Sequence, residues 1–205
     1  MPKSKQVGVV DYGVGTWASV LNMLGASGIE AAPCVAPESL SKFSHIILPG
    51  VGNFSVAATE LSNMGWTEAI RNRVTAGIPT LGICLGMQLL GEQSEESTGR
   101  GLDLMGFTSK KLSEAGGLRV PHMGWNTVEI QSDHKIFSGW TSEFKFYFVH
   151  SYAVPILAKS TIGSSMHNEP FSSVVAQDNI VGVQFHPEKS HRYGKKLLEN
   201  FFEMG

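Results

Sequence analysis

The sequence predicts an α/β fold of three layers: a mostly parallel central sheet flanked by helices, carrying an antiparallel extension. Three observations lead there. The first half alternates short apolar runs with segments of helical spacing, the pattern of βαβ units. Those apolar runs are nearly continuous rather than alternating, as befits strands covered on both faces. The second half changes to short, β-branched or polar-alternating runs separated by Gly, Asn, Asp and Pro, the mark of hairpins. No repeat, linker or low-complexity tract interrupts the 205 residues, so one domain over residues 1–205 is expected.

The elements follow in order. Residues 6–12 (QVGVVDY) read as a buried strand running into the glycines of DYGVG. Residues 17–28 (WASVLNMLGASG) have helical apolar spacing and stop on glycine. Residues 29–35 form a weaker strand, and 45–54 (HIILPGVGNF) a strand entering a glycine-rich turn. Residues 55–76 hold two helical segments hinged near 63–65. Residues 78–84 (IPTLGIC) are a strand, and 85–94 (LGMQLLGEQS) a helix. FTSKKL, NTVEI, FKFYFVH, TIGSSMH, SSVVAQ and NIVGVQFH make up the antiparallel region, and a helix from 191 to about 203 closes the chain.

Composition excludes several function classes. Sixteen Lys and Arg against 18 Asp and Glu give a net charge of −2, which argues against binding a nucleic-acid backbone. No stretch approaches the ~18 apolar residues of a membrane span, and the N-terminus MPKSKQVGVVDYG reads as no signal peptide. Two cysteines give no disulfide framework and fit a reducing, cytoplasmic location; Cys34, in AAPCV, reads as core packing. His and Cys show no paired ligand spacing, so neither a metal nor a cofactor is expected. DYGVGTW lacks both G-x-G-x-x-G and the P-loop lysine, which argues against a nucleotide site.

Chemistry concentrates at Gly82-Ile83-Cys84-Leu85-Gly86. G-x-C-x-G at a strand-to-helix junction is the cysteine form of a nucleophile elbow, in which the neighbours at ±2 must lack side chains. The N–H groups opening the next helix favour a thiolate and any oxyanion formed beside it. The plain alternative is a buried cysteine in a glycine-flanked turn. A thiol needs a base, and of seven histidines His186 is best placed, ending the apolar run IVGVQF where α/β sheets present reactive groups. Pro187 stops further strand pairing, and Glu188 is positioned to turn back and fix the imidazole tautomer. Cys84, His186 and Glu188 are therefore the candidate catalytic triad. LPGVGNF, after another strand end, offers an oxyanion hole: the backbone N–H of Leu85 with one from Val51 or Gly52.

PGVGNF, GICLGMQLL, VPHMGWN, YFVHSY and GVQFHPEKS resemble, in order and spacing, the class I (triad) glutamine amidotransferases, and within them the glutaminase subunits of imidazole glycerol phosphate synthases. The resemblance runs from about residue 7 to 203. It implies a flavodoxin-like sheet and attack of the Cys84 thiolate on the side-chain amide of glutamine, with ammonia passed to a (β/α)8 cyclase as heterodimer partner in histidine biosynthesis. It also implies that Gln88 and Glu96 hold the substrate's polar end and that His150, Ser151 and Tyr152 border it. Thr16, Pro121, Met123, Trp125 and Lys189 would lie at the subunit interface. From spacing alone, Gln88 reads equally as a solvated helix residue, and Met123 and Trp125 as core.

The chain departs from that family at Thr16, usually Asn, and in 101–112, which lacks the usual Pro-Gly and Arg-Phe. Its stretch 186–201 (HPEKSHRYGKKLLENF) resembles a second branch, which supplies ammonia to amidotransferases of bacterial surface-polysaccharide sugars. A reading of another class is a non-catalytic regulatory or scaffold relative on the same fold. The intact Cys84, His186 and Glu188 count against it.

Overall fold

A computed structural model describes residues 5–140 and 143–205. The first four residues, which open the N-terminal stretch read above, lie outside it. The first half is built as its apolar runs predict: β1 (Val7–Val10), α1 (Trp17–Ala26), β2 (Ala31–Cys34), β3 (His45–Gly50), α2 (Phe54–Asn63), α3 (Trp66–Thr75), β4 (Thr80–Cys84) and α4 (Leu85–Leu90). The hinge between α2 and α3 falls on Gly65, at φ 78, a left-handed conformation that glycine takes freely. A short 3-10 turn over Pro37–Lys42, which the sequence reading missed, links β2 and β3.

The second half contains β5 (Gln93–Ser94), β6 (Thr108–Lys111), β7 (His122–Ile130), β8 (Phe144–His150), β9 (Tyr152–Pro155), β10 (Thr161–His167), β11 (Glu169–Gln177), β12 (Ile180–Val183) and α5 (His191–Phe202). The main sheet runs β2-β1-β3-β4-β12-β11-β10-β7-β8. Its first five strands pair parallel and the rest antiparallel. NIVGVQFH was expected among the hairpins. β12 instead joins the two halves, parallel to β4 and antiparallel to β11.

Side-chain alternation along the parallel strands feeds two cores. Val7, Val9, Ile47, Leu81 and Val181 pack with α1 and α5 on one face. Val10, Ile46 and Leu48 pack with α2, α3 and α4 on the other. This is the three-layer arrangement expected, with layers that bury the apolar stripe of each helix.

One helix is shorter than its pattern suggests. Residues 85–94 were expected to be helical, yet α4 stops at Leu90. Gly91 packs so closely on Phe107 that a Cβ there would overlap it, and Glu92 N–H donates to the Phe107 carbonyl at 2.9 Å. Residues 93–94 then pair with β6. Tertiary pairing overrides the local helical preference.

Candidate active site

The carboxyl ends of β3, β4 and β12 meet at one edge of the sheet, where open α/β sheets bind ligands. Cys84 ends β4 and is the N-cap of α4. Its backbone lies at φ 54 and ψ −109, a strained conformation for a residue with a Cβ. The glycines on either side make that turn buildable. A Cβ on Gly86 would overlap the Leu48 carbonyl oxygen, and one on Gly82 would lie 2.7 Å from the Gly86 carbonyl oxygen. α4 has six residues, so its contribution at Cys84 is the free N–H groups of its first turn rather than a long macrodipole.

His186 follows the end of β12. Its N–H donates to the Tyr147 carbonyl at 2.9 Å, and its own carbonyl accepts from Ser190 Oγ at 2.6 Å. Pro187 begins a 3-10 turn that folds Glu188 back, so that His186 Nδ1–H donates to Glu188 Oε1 at 2.7 Å. Both side chains are 1% exposed. Nε2 is thereby the free ring nitrogen, and it is buried without a hydrogen-bond partner among the described residues. Burial works against the imidazolium. Proximity to the Cys84 sulfur and the Glu188 carboxylate outweighs it, and the ring is pushed up to about 10. Cys84 Sγ itself lies 3.9 Å from the Val149 carbonyl oxygen and 3.7 Å from Gln184 Nε2.

A cavity of about 330 Å³ opens over Cys84. Val51, Gly52, Leu85, Gln88, Glu96, His150, Ser151, Tyr152 and His186 all line it, so the residues named for oxyanion and substrate contact converge. Glu188 stands behind His186, outside the lining. Tyr12, in the DYGVG stretch, braces the oxyanion segment: its hydroxyl donates to the Pro49 carbonyl at 3.0 Å, and burial raises its phenol. A larger depression of about 620 Å³, lined by Pro79, Asp133, His134 and Asn179, sits at the opposite end of the parallel strands, away from Cys84.

Several residues carry structural duties as well. Gln88 is 4% exposed, which removes the reading of a solvated helix residue; its Nε2 donates to the Tyr152 carbonyl at 2.9 Å. Glu96 lines the cavity and also caps α2, accepting from Phe54 N–H at 2.7 Å beside the Asn53 N-cap. His150 Nδ1–H donates to the same Tyr152 carbonyl at 2.9 Å, and burial next to His122 lowers this imidazole to about 3. Sequence reasoning gave neither His122 nor Gln184 a role beside Cys84. His122 Nδ1 lies 2.9 Å from His150 Nε2, and burial lowers it to about 4.

Of the residues named for an interface, Thr16, Met123, Trp125 and Lys189 lie outside the cavity lining. Met123 is 63% and Trp125 48% exposed, which removes the core reading of both. Trp125 stacks on His191 with ring centroids 5.5 Å apart, and Lys189 Nζ lies 5.8 Å from the centre of the Tyr147 ring. Pro121 is exposed at the cavity rim, between cavity and patch. Thr16 is exposed at the start of α1 and makes no side-chain cap bond.

Comparison with known proteins extends this picture. The family described as Glutamine amidotransferase class-I matches residues 9–204. The chain is 40% identical over 199 residues to imidazole glycerol phosphate synthase subunit HisH 2 of Methanococcus maripaludis, covering 96% of this chain and 98% of the relative. It is 43% identical over 202 residues to imidazole glycerol phosphate synthase subunit HisH of Sulfurimonas denitrificans, covering 95% and 96%. The solved structure of PurLQS from Thermotoga maritima superposes with a TM-score of 0.75 over 96% of this chain and 97% of that one, at 16% identity, a likeness of fold alone. The matches run through every segment that builds the cavity, and this chain belongs to the glutamine amidotransferase class-I family.

Proposed function

We propose that residues 1–205 form one glutaminase unit, the glutamine-hydrolysing subunit of an imidazole glycerol phosphate synthase, acting in the cytoplasm beside a (β/α)8 cyclase. The observation that carries this reading is the buried Nδ1–H···Oε1 bond of His186 to Glu188, which leaves Nε2 free beside Cys84 in a cavity of glutamine size. The Cys84 thiolate adds to the side-chain amide carbon of glutamine. Backbone N–H groups at Leu85 and Val51 or Gly52 receive the oxyanion. Nε2–H of His186 gives its proton to the departing nitrogen, which leaves as ammonia, and a glutamyl thioester remains. Water, deprotonated by the same Nε2, breaks the C–S bond and releases glutamate. Gln88, Glu96 and the 150–152 stretch hold the substrate's amino-acid end. The exposed patch of Met123, Trp125 and Lys189, with Thr16 and Pro121, docks the cyclase. No helix among the described residues is long and apolar enough to cross a membrane, which agrees with this setting.

One observation favours a second acceptor. His191, within the 186–201 stretch that resembles the second branch, stacks on Trp125 inside the proposed docking patch. The acceptor is then a surface-polysaccharide sugar amidotransferase. Amide-¹⁵N glutamine separates the two: the chain is mixed in turn with a histidine-pathway cyclase and with the sugar amidotransferase pair. Label in imidazole glycerol phosphate supports the first reading, and label in the sugar alone overturns it. Absence of glutamate release with either partner overturns the glutaminase itself.

A further inference from the structure

Gln184 is fully buried next to the nucleophile. β12 pairs with β4 so that Val183 faces Ile83, which sets Gln184 alongside Cys84. The direction of its amide follows from its neighbours. The Tyr152 carbonyl oxygen only accepts, so the Gln88 atom 2.9 Å from it is the nitrogen. That nitrogen is 3.2 Å from Gln184, which must therefore present its carbonyl Oε1. Gln184 Nε2 is left facing Cys84 Sγ at 3.7 Å.

The same oxygen anchors a second line of donors. His150 Nδ1–H donates to Tyr152, so His150 Nε2 accepts from His122 Nδ1–H. His122 Nε2 in turn accepts from Asn126 Nδ2 at 3.2 Å, and Asn126 is oriented by the Met166 carbonyl. Gln88 and His150 thus both donate to the Tyr152 carbonyl. Flipping Gln88 would set its oxygen against two others, and flipping Gln184 would set two NH2 groups against each other, either of which is costly in a buried place.

We propose that Gln184 is a further catalytic residue, whose Nε2–H donates to the Cys84 sulfur. A thiolate accepts such a bond well and a thioester sulfur poorly. The donor therefore acts twice: it holds the free thiolate ready, and it stabilises the negative charge on sulfur as the C–S electron pair returns there when water breaks the bond. The inference rests on the glutaminase reading only for this catalytic use; the bond itself is a property of the free chain.

The test needs no glutamine. Cys84 alkylation by iodoacetamide, in which the thiolate displaces iodide, is followed against pH, with Cys84→Ala fixing the background from Cys34. Q184M removes the donor at similar volume. Q184E keeps the acceptor that Gln88 needs and replaces the donor by an oxygen. The expected result is that both variants move the alkylation profile to higher pH, Q184M by about one unit, a tenfold loss of reactive thiolate. A Q184M profile that overlays the parent, or a shift in Q184E alone, overturns the proposal. Should Q184M fail to fold, the parent chain decides: the Gln184 side-chain ¹⁵N–¹H signals must titrate together with alkylation and lose that titration in Cys84→Ala. Signals that stay flat overturn it. A chain that alkylates as expected but releases no glutamate would sink the glutaminase reading and leave this bond standing.

Discussion

The parallel and antiparallel halves of the sheet solve opposite problems. In the parallel half, β1, β3, β4 and β12 are buried on both faces, the edge strand β2 less so, and one turn is held in a strained conformation. The antiparallel half opens one face toward its outer edge, exposing Met123, Trp125 and Met166, while its other face carries the buried pair His122 and His150. Cys84, the proposed nucleophile, stands on the buried half. Several of the groups around it, Val149 to Tyr152 among them, come from the adaptable half. The lesson is that rigidity is concentrated where the reacting atom must be aimed, and surface variety where partners are met.

The comparison breaks first at Cys84. Cys84→Ala should lower glutamine turnover in the proposed complex with a cyclase by about 10⁴-fold or more, read as glutamate release, with the fold unchanged. Turnover near the parent level would remove the catalytic role of the parallel half. Packing comes next. Gly86→Ala drives a Cβ into the Leu48 carbonyl and should cost about 3 kcal/mol in denaturant unfolding. Gly163→Ala, on β10, meets Val128 and Val174 side chains at 3.2 Å, which yield more readily, and should cost about 1 kcal/mol. Equal costs would mean the two halves are packed alike.

The halves also answer pH in opposite senses. His186 is raised to about 10, above its ordinary 6.5, so its contribution is full below pH 6.5 and is lost as pH rises toward 10. His122 and His150 are lowered to about 4 and about 3. The unfolded chain then binds more protons below pH 6.5, and stability is lost as pH falls toward 4. His122→Gln should remove roughly 2 kcal/mol of that acid-side slope, seen in melting temperatures between pH 6.5 and 4. An unchanged acid limb would mean His122 does not titrate as placed. The smallest effect is expected at the open face: Trp125→Ala should change the isolated chain's stability by no more than about 0.5 kcal/mol while weakening capture by the synthase about tenfold or more in titration calorimetry.

The parallel half was readable because continuous apolar runs and G-x-C-x-G report local needs directly. The elbow glycines and the His186–Glu188 turn are written within five residues of their partners, and both stand where the pattern indicates. What depended on pairing was hidden. β9 (Tyr152–Pro155) is short and ends on proline, so nothing local marked it as a strand. β7 was read only from NTVEI, because Gly124 lies inside its first turn of pairing with β8. Gln184 gains its place only when β12 is set beside β4, a register no local pattern contains. His122 could be counted as one of seven histidines, yet its pairing with His150 needs β7 and β8 aligned.

The bridge between Tyr147 and His186 reaches beyond catalysis. β8 closes the sheet's path, and FKFYFVH, aromatic and β-prone, is the sort of outer strand that recruits other chains. Here its outer side is met by His186 and by Ser190 Oγ, which accepts from Tyr147 N–H at 3.0 Å. At the other end of the sheet, Pro33 deprives β2 of a donor. The segment that aims the proposed base therefore also covers the outer side of β8 at Tyr147, and a chain that loses its grip on His186 is expected to be prone to self-association as well as slow.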